Sequence, residues 1–365
     1  MSNDEPRAPL ESEVPEVIGF LDHLLRPERN WSIAAEYPQV FTAPNRENLR
    51  IIKHNGPIIA HAATKFLIIK THFGLFKVAA IGSVVTDPNH RNLGYSRSIM
   101  NSCLQIAEEG CADFAILWSD LYDFYGKLGF ELAGREISFV IDQLPDLATK
   151  SDLLPMHELR IVQSPKVAPE AILRLYGQHP CGTVRTAEDI RRHLTIPNSR
   201  VYTAWDRSNQ LRAYAVEGKG GDLKGYIHEW GGGVSALLPL FAHIRREAGQ
   251  PITVIAPSHA ENLIRHLKEW PTLVHEGFLG MIRIINKRNL FLKITRRAKQ
   301  LGLHDFVIES EGDQVRVGTA TDLVTLSTPA EITRLIFGPH PLGALNPAYK
   351  ELFPIPMWIW GWDSV

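Results

Sequence analysis

The sequence predicts an α/β (α+β) chain with two mixed sheets and flanking helices, the second unit a degenerate copy of the first, plus a small C-terminal α/β region. Short apolar runs alternate with stretches of 3.6-residue apolar period along most of the chain. One apolar strand runs through an Arg/Gly loop straight into such a stretch, from Val84 to Ser96 and beyond. The 365 residues, 44% of them hydrophobic, are enough for two or three cores.

Residues 1–13 are polar and acidic and are expected to be disordered. A first helix follows over 14–25. The apolar runs 49–53, 58–63 and 66–69 are expected as antiparallel strands leading to a strand over 78–85. That strand stops at Pro88. A helix opens near Gly94, with Ile99, Cys103, Ile106 and Ala107 on one apolar face and Gly110 as its stop. Phe114 to Trp118 reads as a buried strand, 121–129 as a short helix ended by Gly129, and 136–141 as the strand that closes the unit. Pro145 and Pro155 break the pattern, so the first domain is taken as 14–150.

The unit over 151–285 repeats the order in faded form. The stretch over 286–365 holds an amphipathic segment at 290–301, two short strands, a helix at 329–337 and a Pro/Trp-rich tail.

The chemistry starts at the loop. A strand end, a glycine turn and a helix N-terminus aim several backbone N–H groups at one point, which suits an anion. Gly94 lets the backbone approach that anion, and Arg91 offers a guanidinium to its oxygens. Over 14–142 the chain resembles the GNAT superfamily, the acyl-CoA-dependent N-acetyltransferases. That family's pyrophosphate loop, Arg/Gln-x-x-Gly-x-Gly/Ala, is matched by Arg91, Asn92, Leu93, Gly94, Tyr95 and Ser96, with Ser96 as a departure at the last position. Its later signature, a tyrosine before x-Lys-x-Gly-Phe, is matched by Tyr125-Gly126-Lys127-Leu128-Gly129-Phe130.

The resemblance implies acetyl-CoA as co-substrate, no metal, and an amine acceptor on a small molecule or a peptide. It implies that the backbone at Ser83, Val84 and Val85 holds the pantetheine and the thioester oxygen, that the 91–96 loop holds the pyrophosphate, and that Tyr125 is the general acid. Trp118, Ser119 and Asp120, at a strand end where the central strands should part, are expected in the acceptor pocket together with His72.

The second unit lacks the phosphate loop, since Gly231-Gly232-Gly233 runs into a helix with no arginine. It is expected to wall the substrate cleft. The tail over 353–365 carries three of the eight tryptophans and should dock against the body of the protein. Docking as a packing clamp is one reading. The other rests on resemblance to Eis-like acetyltransferases and N-myristoyltransferases, which place their terminal carboxylate in the active site. By that analogy the carboxylate of Val365 is the base. The sequence leaves the base open among Val365, His54, His61, His72, Asp87 and Asp120.

A formal net charge of −1 argues against a nucleic-acid partner. No apolar run approaches the ~20 residues a membrane span needs, and the polar start is unlike a signal peptide. Cys103, Cys111 and Cys181 have no metal-ligand spacing, which fits a reducing cytoplasm. The Eis-like resemblance leaves a homo-oligomer open. Two alternatives stand beside the transferase: a non-catalytic acyl-CoA sensor, and a transferase with another acyl donor, for which the near-neutral charge disfavours aminoacyl-tRNA.

Overall fold

The computed structural model describes residues 4–146, 154–312, 314–339 and 347–365. The boundary expected near 150 lies outside the described residues. In chain order the first unit holds α1 (Val14–Leu25), α2 (Ile33–Glu36), β1 (Leu49–Lys53), β2 (Ile58–Thr71), β3 (Gly74–Thr86), α3 (Tyr95–Glu109), β4 (Phe114–Leu117), α4 (Tyr122–Gly126), β5 (Glu131–Ala133) and β6 (Glu136–Ile141). The second holds β7 (Arg160–Gln163), α5 (Pro169–Tyr176), β8 (Gly182–Thr183), α6 (Ala187–His193), β9 (Arg200–Trp205), β10 (Leu211–Lys219), β11 (Asp222–Gly232), α7 (Val234–Ala248), β12 (Ile252–Pro257), α8 (Glu261–Lys268), β13 (Thr272–Gly277) and β14 (Gly280–Ile284). The last region has α9 (Lys287–Gln300), a three-stranded sheet of β15 (Val307–Glu311), β16 (Gln314–Gly318) and β17 (Val324–Leu326), α10 (Pro329–Phe337) and the tail.

The first sheet has the order β1-β2-β3-β4-β14-β5, with β8 on the far end of β2. On one face, Ile99, Met100 and Cys103 of α3 pack on Ala62, Ala79 and Ala115, whose small side chains let the helix sit close. On the other, Val17 and Leu21 of α1 pack on Leu49, Ile51 and Ala63. The second sheet runs β13-β6-β12-β11-β10-β9-β7 and rests on α7, whose inner face includes Leu237, Leu240 and Phe241.

Two expectations are corrected here. Glu136–Ile141 does not close the first sheet; it lies in the second, antiparallel to both β12 and β13. Its place beside β4 goes to β14, which pairs with β4 and β5. The break is at Gly134, with φ 77 and Leu279 packed against its Cα, which turns the chain from one sheet to the other. The exchange gives β14, with Gly280, Met281 and Ile282 buried, a neighbour on each side. Residues 4–13 also differ from a disordered arm. Arg7 bridges Ile51 in both directions and clamps Glu13 with two bonds of 2.7 and 2.8 Å.

Candidate active site

β3 and β4 run parallel only over Val78–Ala80 against Phe114–Ile116, and then part. Just past that point β3 is bulged. Ala63 faces Gly82 and His61 faces Val85, so Ser83 and Val84 together oppose Ala62, and Ser83 takes φ 50. His61 Nδ1 lies 2.9 Å from the Ser83 carbonyl oxygen, and burial pulls the imidazole down to about 4. It is therefore neutral at neutral pH, a weak base that props the bulge through Nδ1.

Beyond Thr86 the loop turns at Asn92 (φ 63) and Gly94 (φ 88) into α3. Gly94 is the N-cap and has no side chain to satisfy the helix end. Among the described residues no acceptor takes the N–H groups from Arg91 to Arg97, which leaves a concave row of donors at the positive end of a helix. A side chain at Gly94 would meet open space, so the approach is unobstructed. Ser96 departs from the small-residue pattern for a local reason: its hydroxyl bonds Thr86 Oγ1 at 2.9 Å and ties helix to strand. Asp87 is used within the loop, accepting from Asn89 N–H at 2.8 Å and pairing with His90 Nδ1 at 3.0 Å. Asp4 holds the loop from outside, near Tyr95 Oη (3.3 Å) and His54 Nδ1 (3.0 Å).

The tail reaches this region through the core. Trp358, Trp360 and Trp362 are all essentially buried. Arg185 fixes Asp363 through Nη2 at 2.7 Å and grips Glu229 with Nη1 and Nη2 at 2.8 and 3.0 Å, all out of solvent. Lys219 Nζ donates to the carbonyl oxygens of Gly361 and Ser364 at 2.8 and 2.7 Å. Gln39 Nε2 reaches the carbonyl of Trp362 at 3.2 Å. Val365 comes to rest on β3: a methyl group built on Gly82 would stand 2.5 Å from its backbone oxygen.

A cavity of about 310 Å³ opens at this point. Val365, Trp118, Glu136, Tyr37, Asp222 and Lys219 lie on its wall. Trp118 is pinned by its indole N–H to the Leu279 carbonyl at 2.8 Å. Tyr37 donates to Asp222 at 2.8 Å, and Asp222 also holds Arg26 at 2.8 Å. Burial pushes the Glu136 carboxyl up to about 7, the Ser138 hydroxyl at 3.3 Å giving only partial relief. Burial likewise draws Lys219 down to about 7, against the pull of Asp363 and Asp222.

Tyr125 lies on the α3 side of the sheet, in the packed cluster that Val84 and Tyr95 border. Among the described residues its hydroxyl has no hydrogen-bond partner, and burial raises its pKa, so the phenol keeps its proton at neutral pH. Ser119 caps the turn into α4 by accepting from Leu121 N–H at 3.1 Å, and Asp120 is exposed beside it. His72 is not brought to the site. It sits in the β2–β3 turn against Phe73, roughly 25 Å down the strand from Gly82.

Sequence reasoning missed Gly82, Tyr37, Glu136, Lys219 and Asp222. The available signal was a lysine closing the apolar strand 211–219 and a glutamate opening the strand 136–141. Among the described residues no group of three or more His, Cys, Asp or Glu side chains could hold a metal, and no helix is long and apolar enough to cross a membrane.

The second half repeats the parting of strands with a different filling. β11 and β12 pair in parallel only at Tyr226 and Ile227. There Trp230 bonds across the gap to the Ile255 carbonyl at 2.9 Å, and Trp360 of the tail packs edge-on against it at 4.9 Å.

Residues 6–133 match the family described as the acetyltransferase (GNAT) domain, so the first third of the chain carries such a domain. Whole-chain similarity to solved structures defines the fold. A GCN5-related N-acetyltransferase from Kribbella flavida aligns over 98% of this chain and 99% of its own, with TM-score 0.62 and 14% identity. One from Anabaena variabilis aligns over 97% and 98%, with TM-score 0.63 and 14% identity. Eis1 from Mycobacterium abscessus aligns over 94% and 92%, with TM-score 0.56 and 10% identity. No curated protein sequence matches significantly.

Proposed function

We propose that the chain is an N-acetyltransferase that moves an acetyl group from acetyl-CoA to the amine of a compact acceptor held in the 310 Å³ cavity. The observation that carries the reading is Val365 seated against Gly82 at the parting of β3 and β4, on the wall of that cavity. The residues present fit the donor. The free N–H row from Arg91 to Arg97 suits a pyrophosphate, and the bulged edge at Ser83, Val84 and Val85 suits an amide-bearing arm and a carbonyl oxygen. Bound acetyl-CoA supplies a thioester carbonyl activated toward an amine.

The chain's own part is proton handling and orientation. An ammonium cannot attack, so the acceptor must lose a proton; the carboxylate at Val365 is the group proposed to take it. Tyr125, protonated and with its hydroxyl unengaged, is the donor proposed for the departing thiolate. Glu136, Asp222 and Lys219 give the cavity polar groups of both signs to orient an acceptor, while Trp118 and Trp358 supply apolar wall. The cavity volume favours a small molecule, or one side chain of a larger one, over an extended peptide. The second half and the tail are read as support for this site, not as a second donor site.

The test is calorimetric titration with acetyl-CoA, followed by a panel of primary amines with CoA release as readout. One binding site and amine-dependent release support the reading. Binding with no turnover across a broad panel would assign the chain to acyl-CoA sensing. No binding would remove the transferase reading.

A further inference from the structure

A second cavity, of about 460 Å³, lies between β2, β8, α6 and the loop after α2. The tail divides it from the acceptor cavity. Asp363 stands on the wall of this hollow, whereas Ser364 and Val365 stand on the wall of the other. Gln39 borders the division and holds it from this side, its Nε2 donating to the Trp362 carbonyl at 3.2 Å. The volume falls in the ~300–1,000 Å³ range of small-molecule sites.

The wall holds polar groups that the fold leaves unused. Gln39 Oε1, Thr183 Oγ1 and His193 Nδ1 are buried with no hydrogen-bond partner, in residues only 9, 6 and 2% exposed. A folded chain seldom leaves one such atom unpaired, and here three belong to the wall of one hollow. The Gln39 amide is oriented by its bond to Trp362, so Oε1 is free only to accept. Burial keeps the His193 ring neutral, and that ring is stacked on Trp362 with centroids 5.4 Å apart.

The charges follow the same pattern. Arg185 is committed to Glu229 and Asp363, and Arg192 leans on Glu188 at 3.5 Å. Half-buried Lys65 makes no ion pair or hydrogen bond among the described residues, although Asp189 and Asp363 lie near enough to act on its charge. Asp189 spends one oxygen on the Thr186 N–H and hydroxyl, at 2.8 and 2.7 Å, and leaves Oδ1 free. One unpaired cation, a carboxylate oxygen and an amide oxygen thus face a single concavity. Leu67 and the exposed Leu75 and Val184 give it an apolar side. A small zwitterion with an apolar body matches all three features: its anionic end needs a cation, and its cationic end needs acceptors.

We propose that this cavity binds a free α-amino acid with an apolar side chain, its carboxylate on Lys65 and its ammonium on Gln39 Oε1 and Asp189 Oδ1. Thr183 and His193 supply the remaining polar contacts, and the side chain lies on Leu67, Leu75 and Val184. The bound molecule is an effector and not the acceptor, because the tail stands between it and Gly82. By engaging Gln39 it steadies the residues that carry Val365. Binding at this site does not depend on the acyl-transfer reading.

The experiment is calorimetric titration of leucine, valine and phenylalanine into the full chain, with leucine methyl ester and 2-hydroxy-4-methylpentanoate as controls that lack one charge each. At least one amino acid should bind at a single site with Kd below about 1 mM. The matching ester and hydroxy acid should bind about 10- to 100-fold more weakly, the scale of one charge-assisted bond. Lys65→Met should weaken the amino acid by the same factor. Thr183→Val should weaken it about 3- to 10-fold without lowering the unfolding temperature, because the hydroxyl it removes has no partner in the free protein. That combination separates a lost contact from a damaged fold. Equal affinity for leucine and its hydroxy acid would overturn the zwitterion assignment. Wild-type affinity in both variants would overturn this cavity as the site. No binding by any of the three amino acids would make it a hydrated hollow, and calorimetry with acetyl-CoA on the same sample would still judge the transferase reading separately.

Discussion

Gly82→Ala is the sharpest probe of the tail, because it acts on Val365 without touching any group proposed to bind donor or acceptor. The added methyl would stand 2.5 Å from the Val365 backbone oxygen, with the Val365 Cγ2 at 3.1 Å on the same side. Ordinary contact needs ~3.5 Å, so the end of the chain must retreat by about 1 Å. It cannot swing freely, since Lys219 and the Arg185–Asp363 pair hold the preceding residues. A displacement of that size at a reacting group costs roughly 10²-fold in rate, or ~2.7 kcal/mol. The assay is steady-state CoA release with an amine found in the panel, alongside calorimetry with acetyl-CoA. The expected result is kcat lowered by ~10²-fold with donor affinity unchanged. A companion variant with one glycine added after Val365 carries the carboxylate about 3.5 Å further without altering β3, and should lose as much. Wild-type kcat in both variants would refute the carboxylate as base. Loss of acetyl-CoA binding in Gly82→Ala alone would show that the methyl blocks the donor instead.

Tyr125→Phe should lower kcat by ~10²-fold and barely move unfolding midpoints, because the hydroxyl it removes has no partner among the described residues; unchanged kcat would make Tyr125 structural. Glu136 is held near 7 in the folded chain, above its ordinary range, so the folded state binds its proton more tightly than the unfolded state. Its contribution to stability therefore falls as pH rises from the ordinary carboxylate range through about 7, and Glu136→Gln should flatten that slope. Urea midpoints at about pH 5 and about pH 8 would check it, with identical slopes in the two proteins counting against the assignment. Arg185→Met leaves Asp363 and Glu229 buried and unpaired, which should destabilise by ~3–5 kcal/mol in chemical denaturation and depress kcat as the tail loosens. A loss under ~1 kcal/mol would mean that the tail is held chiefly by its tryptophans.

What could be read from the sequence was what neighbours in the chain determine. The strand–loop–helix unit around Gly94 was legible because a glycine at positive φ, an uncapped helix end and an apolar period all fall within a short stretch. The Tyr125 helix was legible for the same reason. What lay hidden depends on partners far apart in sequence. Nothing local to 280–284 says that it will slip between β4 and β5, since an apolar strand has the same pattern in either sheet. Lys219 and Glu136 looked like strand ends until the tail and the second sheet closed over them. The two halves then explain each other. The second sheet has a strand gap of its own, between β11 and β12. Here Trp230 and Trp360 fill that gap, and Gly361 crosses β11 so closely that a side chain there would strike His228. The gap serves instead as the passage that carries the last residues through the core to Gly82. The near-burial of every tryptophan in the tail is the physical signature of that passage.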